Sequence, residues 1–95
     1  MDITKCLTIS TMHISLETEE KLLEEEYKNN MFLTVYRKSN FGFWIYVPCD
    51  KDEFHTDNVP KDLRGCMDLA HENDCRWLCL DCDGEDVDCL QKYDW

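Results

Sequence analysis

The chain of 95 residues is poor in glycine (three) and in basic side chains (10 Lys+Arg). Three scattered glycines cannot build a Gly-rich phosphate loop. Ten basic residues against 21 acidic ones leave a net charge of −11, a field that repels nucleic acid and anionic membrane and attracts basic surfaces. No apolar run approaches the roughly 18 residues of a membrane span. The first ten residues, MDITKCLTIS, lack a basic stretch followed by an apolar one, so no signal peptide is expected and the cytoplasm is the expected compartment. No serine stands in a nucleophile-elbow context, and His13, His55 and His71 fall on three different elements. These absences point away from an enzyme.

What is present is enough for a fold. At 43% hydrophobic and 12% aromatic the chain is too apolar to be disordered. Its length suits one domain, residues 1–95, around a single core. The cysteine count of seven is odd. Without a secretion signal that favours free thiols over a disulfide framework.

Residues 3–10 alternate, with Ile3, Leu7 and Ile9 on one side and Thr4, Cys6, Thr8 and Ser10 on the other. This predicts a strand, central in its sheet. Ser15 can cap a helix running to Asn29-Asn30, with Glu17, Glu19 and Glu20 at its positive end. Leu16, Leu23 and Tyr27 share a narrow stripe, with Leu22 at its margin, and predict the packing face; the glutamates would then form a wall facing water. Residues 32–38 and 41–47 read as a hairpin turning at Ser39-Asn40. A polar loop over 49–59 leads to Pro60, well placed to open a second helix ending at Asn73-Asp74. Leu63, Cys66, Met67 and Ala70 are its buried stripe, and Gly65 falls on its exposed side. Residues 77–82 predict a strand, Asp83-Gly84 a type I′ turn, and the residues after it a short return strand.

The order β-α-β-β-α-β, with an extra C-terminal β segment, is that of a ferredoxin-like α+β sandwich: two helices on one face of a mostly antiparallel sheet. Its covered face would carry Leu7, Ile9, Leu33, Val35, Phe43, Ile45, Leu78 and Leu80. Tyr36, Trp44, Tyr46 and Trp77 would share the other face, an apolar row large enough to need a cover. The tail holding Tyr93 and Trp95 is one candidate lid and a partner, including a second copy, the other. RNA-binding sheets stack bases on such rows, but they also need surrounding basic residues. Only Arg37 and Lys38 stand near this one, so direct nucleic-acid binding is not expected.

Cys79-Leu80-Asp81-Cys82 is a CxxC, yet spacing of three along a strand sends the two sulfurs to opposite faces, whereas zinc ribbons converge them on turns. Residues 81–86, rich in acid, lack the rest of a calcium loop. No metal or other cofactor is expected.

CLTIST, then GFWIYV, then a Pro-started helix leading to CRWLCLDCDGE, and a final YDW, together resemble a family of small acidic proteins of bacterial phages, plasmids and integrated mobile elements, known as a domain of unknown function. The resemblance spans nearly the whole chain. It implies a mobile-element setting and carries no catalytic residues. The family pattern leads one to expect Gly where Asn73-Asp74 stands, and Cys79, Cys82 and Cys89 are particular to this chain. In that setting the acidity suggests a non-enzymatic binding protein, an inhibitor of a nucleic-acid-binding host defence protein of the anti-CRISPR or antirestriction type. Its carboxylates would stand in for phosphates on the basic surface of a protein partner. Glu17, Glu20, Glu24 and Glu25 on the first helix, and Asp83, Glu85, Asp86 and Asp88 on the terminal hairpin, are the candidate contacts. The alternative is a small structural or regulatory module that assembles through Tyr36, Trp44, Tyr46 and Trp77.

Overall fold

The computed structural model describes residues 4–38 and 42–94. Among these residues the elements run β1 (Cys6–Ser10), α1 (Leu16–Lys28), β2 (Val35–Arg37), β3 (Gly42–Tyr46), α2 (Lys61–Glu72) and β4 (Trp77–Asp81), with single 3-10 turns at Thr11–His13 and Lys51–Glu53. Ile3, the Ser39-Asn40 turn, Phe41 and Trp95 lie outside the described residues.

The chain is α+β, and its described residues form two α-helices and a four-stranded mixed sheet. The strand order is β1-β4-β3-β2, with β1 parallel to β4 and the other neighbours antiparallel. β4 rather than β1 therefore lies beside β3, which departs from the expected ferredoxin-like arrangement with a central β1. Burial gives the reason. Leu78, Cys79 and Leu80 are all sealed, which suits an interior strand flanked by β1 and β3. In β1, by contrast, Cys6 and Thr8 are exposed, which suits an edge.

Register aligns Leu7, Leu78, Ile45 and Val35 in one row and Ile9, Leu80 and Phe43 in the next. These join Leu33 and the helical Leu22, Leu63, Cys66, Met67 and Ala70 in one core, so the covered face is the expected one. α2 buries the stripe read from its sequence, and Asp74 closes it in the left-handed region at φ 57°. The loop before α2 is less polar inside than its sequence suggests, since Phe54 and Val59 are both buried.

α1 corrects its expected phase. Its buried positions are Thr18, Leu22 and Glu25, while Leu16, Leu23 and Tyr27 face solvent. Hydrogen bonds set this rotation. Ser15 caps the helix at the Thr18 N–H (3.3 Å), and Asp62 of α2 accepts from the Ser15 N–H (2.7 Å) and from the Thr18 hydroxyl (2.7 and 2.8 Å). At the other end Glu25 accepts from Met31 and Leu33 N–H. Both donors follow Asn29, whose φ of 51° ends the helix.

The C-terminal hairpin does not form. Neither Asp83 nor Gly84 has positive φ, which a type I′ turn requires at both positions. Instead the Asp81 carboxylate accepts from the Asp83 N–H at 2.9 Å, turning the chain locally. The glycine serves a close approach: a Cβ on Gly84 would lie 2.6 Å from the Ile9 carbonyl oxygen. Residues 85–94 then cross the end of β1 as an irregular strap. Ser10 N–H donates to Glu85 O (2.8 Å) and Tyr93 N–H to Met12 O (2.7 Å). Buried His13 anchors the middle: its Nε2 accepts from the Val87 N–H (2.8 Å), so Nδ1 carries the proton and donates to Gln91 O (3.0 Å). Val87 and Leu90 pack against the core, and Leu90 covers Gly65, which the sequence had placed in water.

Candidate functional site

The uncovered side of the sheet carries the four aromatic residues read from the sequence. Pairing puts Cys6, Trp77 and Tyr46 in one row and Thr8, Cys79, Trp44 and Tyr36 in the next. Trp77 sits between two tyrosines. Its ring centre is 5.5 Å from Tyr46, edge-on at 77°, and 6.2 Å from Tyr36 at 37°, distances at which aromatic pairs attract beyond their buried area. Tyr36 remains 56% and Tyr46 37% exposed, and the two tryptophans are half-buried. Thr4, Cys6, Tyr36, Trp44 and Trp77 line a shallow apolar depression of about 360 Å³.

One end of this face is charged. Lys38 Nζ lies 2.6 Å from Asp81 Oδ2 and 5.2 Å from the Trp44 ring centre. The Lys38 hydrogen bond holds the Asp81 carboxyl below the usual aspartate range, helped by the Asp83 N–H. The same contact raises Lys38. Gly42 permits this corner, because a Cβ there, at φ 156°, would fall 1.6 Å from the Leu80 carbonyl oxygen. Sequence alternation put the four aromatic residues on one face, and Thr4 and Cys6 on the side of their strand away from Leu7 and Ile9, but did not set Cys6 beside Trp77 or Asp81 beside Lys38. Cys6 reaches the row only because β1 pairs with β4, and no local pattern encodes that parallel pairing.

The described part of the expected lid does not lie over this row. The strap carries Tyr93 to a depression lined by Ser10, Thr11, Met12, Cys82 and Asp94, beside the 3-10 turn that follows β1, where Tyr93 N–H meets Met12 O.

The acidic candidates separate. Glu17 and Glu20 are exposed and Glu24 is half-buried, meeting Lys28 at 3.5 Å. Glu25 is a correction: at 3% exposure its carboxylate is engaged with backbone amides and faces no partner. Asp83 faces solvent from the turn after β4, and Glu85, Asp86 and Asp88 from the strap rather than from a hairpin. Lys92 meets two of them, Asp86 at 3.0 Å and Asp88 at 3.6 Å.

All seven cysteines are free thiols. Burial pushes Cys66 up to about 12, so this thiol stays protonated at neutral pH, and burial also raises exposed Cys6. Cys79 is buried while Cys82 is exposed. Asp81, Cys82 and Asp83 bring ligand atoms within 4.8 Å of one another. Asp81, however, is already engaged by Lys38 and the Asp83 N–H. Among the described residues no helix is long and apolar enough to cross a membrane.

Comparisons with the curated proteins and with the solved structures find no significant match. A family model does match, over residues 6–95, nearly the entire chain: the C-terminal domain of a family of unknown function, DUF5983. The chain belongs to that family.

Proposed function

We propose that the chain is a non-enzymatic interaction module of the cytoplasm that binds a basic protein partner through the aromatic face of its sheet. One observation carries this: Trp77 stands between Tyr36 and Tyr46 on a sheet face that lies away from the helices and outside the path of the described strap. Tyr and Trp are the residues that anchor protein interfaces, offering large rigid area at small entropic cost. Charge selects the occupant. A net charge of −11 steers basic surfaces toward the chain, and Lys38 over Trp44 is an internal example of a cation held on this face. A partner's arginine or lysine can use the exposed rings of Tyr36 and Tyr46 in the same way. A second copy would bring the same negative field, and single-stranded nucleic acid would find Lys38 already held by Asp81.

A second reading has its own support. Glu17, Glu20, Asp83, Glu85, Asp86 and Asp88 all face solvent, which suits carboxylate mimicry of phosphates by a mobile-element inhibitor of a nucleic-acid-binding defence protein. Affinity capture from host lysate separates the two. The aromatic reading expects capture to fail with Tyr36→Ser/Tyr46→Ser and survive with Glu17→Lys/Glu20→Lys. The mimicry reading expects the reverse, with a steep loss at high salt.

A further inference from the structure

α1 packs with its polar side inward. Thr18, Leu22 and Glu25 are buried, while Leu16, Leu23 and Tyr27 are 48%, 36% and 74% exposed. At about 100° per residue the exposed three form one narrow stripe on the side of the helix opposite the buried three. Glu20 lies within a turn of both leucines, and Glu17 and Glu24 follow the same flank. The helix cannot roll to hide this stripe. Asp62 holds Thr18 and Ser15 at one end, and the amides of Met31 and Leu33 hold Glu25 at the other.

We propose that the outer face of α1 is a docking ridge for a basic amphipathic helix of a partner protein. The partner's apolar side would seal Leu16, Leu23 and Tyr27, and lysines or arginines at its edge would meet Glu17, Glu20 and Glu24. Leu23 and Tyr27 follow Leu16 at i+7 and i+11, two and three helical turns on, so one partner helix laid along α1 can reach all three, and the edge charges set which partner is accepted. Charge complementarity decides among occupants. A second copy would set the same three glutamates against these, and an anionic lipid surface would be repelled by them. The ridge is independent of the aromatic row, because α1 packs on the opposite side of the sheet through Leu22.

A short helical peptide of leucines and lysines, apolar on one side, is the probe, titrated into the isotope-labelled protein. The amide resonances of residues 16–27 move, and Leu23→Ser/Tyr27→Ser weakens binding at least about tenfold, a change of roughly 1.4 kcal/mol. Glu17→Lys/Glu20→Lys weakens it similarly, while Tyr36→Ser/Tyr46→Ser leaves it unchanged. Leu23→Ser/Tyr27→Ser keeps every charge, so unchanged affinity in that variant would reduce the binding to bulk acidity and overturn the proposal. Shifts at the indoles of Trp44 and Trp77 instead of α1 would also overturn it. So would a dimer in sedimentation that Tyr27→Ser dissociates, because the occupant would then be a second copy. Thermal midpoints of the ridge variants stay near that of the parent; a large drop would mean that these side chains are core, which also overturns the proposal.

Discussion

Glu25 Oε2 accepts the backbone N–H of Leu33 at 2.9 Å from a nearly sealed position in the third turn of α1. The same carboxylate takes the Met31 N–H at 2.9 and 3.1 Å. One acidic side chain thus ends the helix, orders the next loop and starts β2. Glu25→Ala should destabilise the protein by about 2–3 kcal/mol, because two buried amides lose a charged acceptor. Glu20→Ala, on the exposed side, should stay within about 0.5 kcal/mol. Urea denaturation of the two variants checks the contrast.

This relationship also shows what the sequence could and could not tell. The α2 stripe, the Ser15 cap and the aromatic row were legible because each rests on local periodicity or a single capping residue. The phase of α1 was not. Leu16, Leu23 and Tyr27 make the more apolar side, and nothing local shows that Thr18 and Glu25 have partners waiting at Asp62 and at the Met31 and Leu33 amides. The place of β4 depended on a parallel pairing between segments at opposite ends of the chain. Asp83-Gly84 carried a genuine turn signal, but Gly84 is there to pass close to Ile9 rather than to start a hairpin. Of the candidate acids, Glu25 was misplaced for the same reason as the helix phase: an exposed glutamate and a buried one hydrogen-bonded to the backbone look alike in sequence.

His13 should control the strap. His13→Ala removes an acceptor from the Val87 N–H and a donor from Gln91 O and leaves a cavity. We expect a loss of about 2–3 kcal/mol, together with faster hydrogen exchange at Val87 and Tyr93. Exchange at Leu78 and Ile45 should rise only in step with global unfolding.

The Lys38–Asp81 pair predicts a pH signature. The folded pKa of Asp81 lies below its unfolded value. Its contribution is therefore complete above the ordinary aspartate value of about 3.9 and is lost as pH falls through the lowered folded one. Lys38 is raised, so its share is complete below about 10.4 and is lost as pH climbs through the higher folded value. Asp81→Asn should be less stable than the parent at neutral pH, and the two curves should converge at both extremes. Asp86, held down by Lys92, titrates in acid in both proteins and cancels. Parallel thermal melts across pH test this.

The glycines should sort by contact. Gly42→Ala drives a methyl into the Leu80 carbonyl at 1.6 Å and should abolish the β3–β4 pairing and the fold. Gly65→Ala meets only Leu90 Cδ2 at 3.7 Å and should stabilise α2 by about 0.5–1 kcal/mol. Circular dichroism and thermal midpoints distinguish these outcomes.

The most direct test of the aromatic sheet face is the affinity of a purified basic partner for the parent and for Tyr36→Ser/Tyr46→Ser, measured by calorimetry with the fold of each checked beforehand. Both tyrosines are exposed enough for the variant to remain folded. We predict a loss of at least about tenfold, roughly 1.4 kcal/mol, with Glu17→Lys/Glu20→Lys changing less. Unchanged affinity in the tyrosine variant, with binding abolished by the glutamate reversals, would contradict the sheet-face account and transfer the function to the carboxylates.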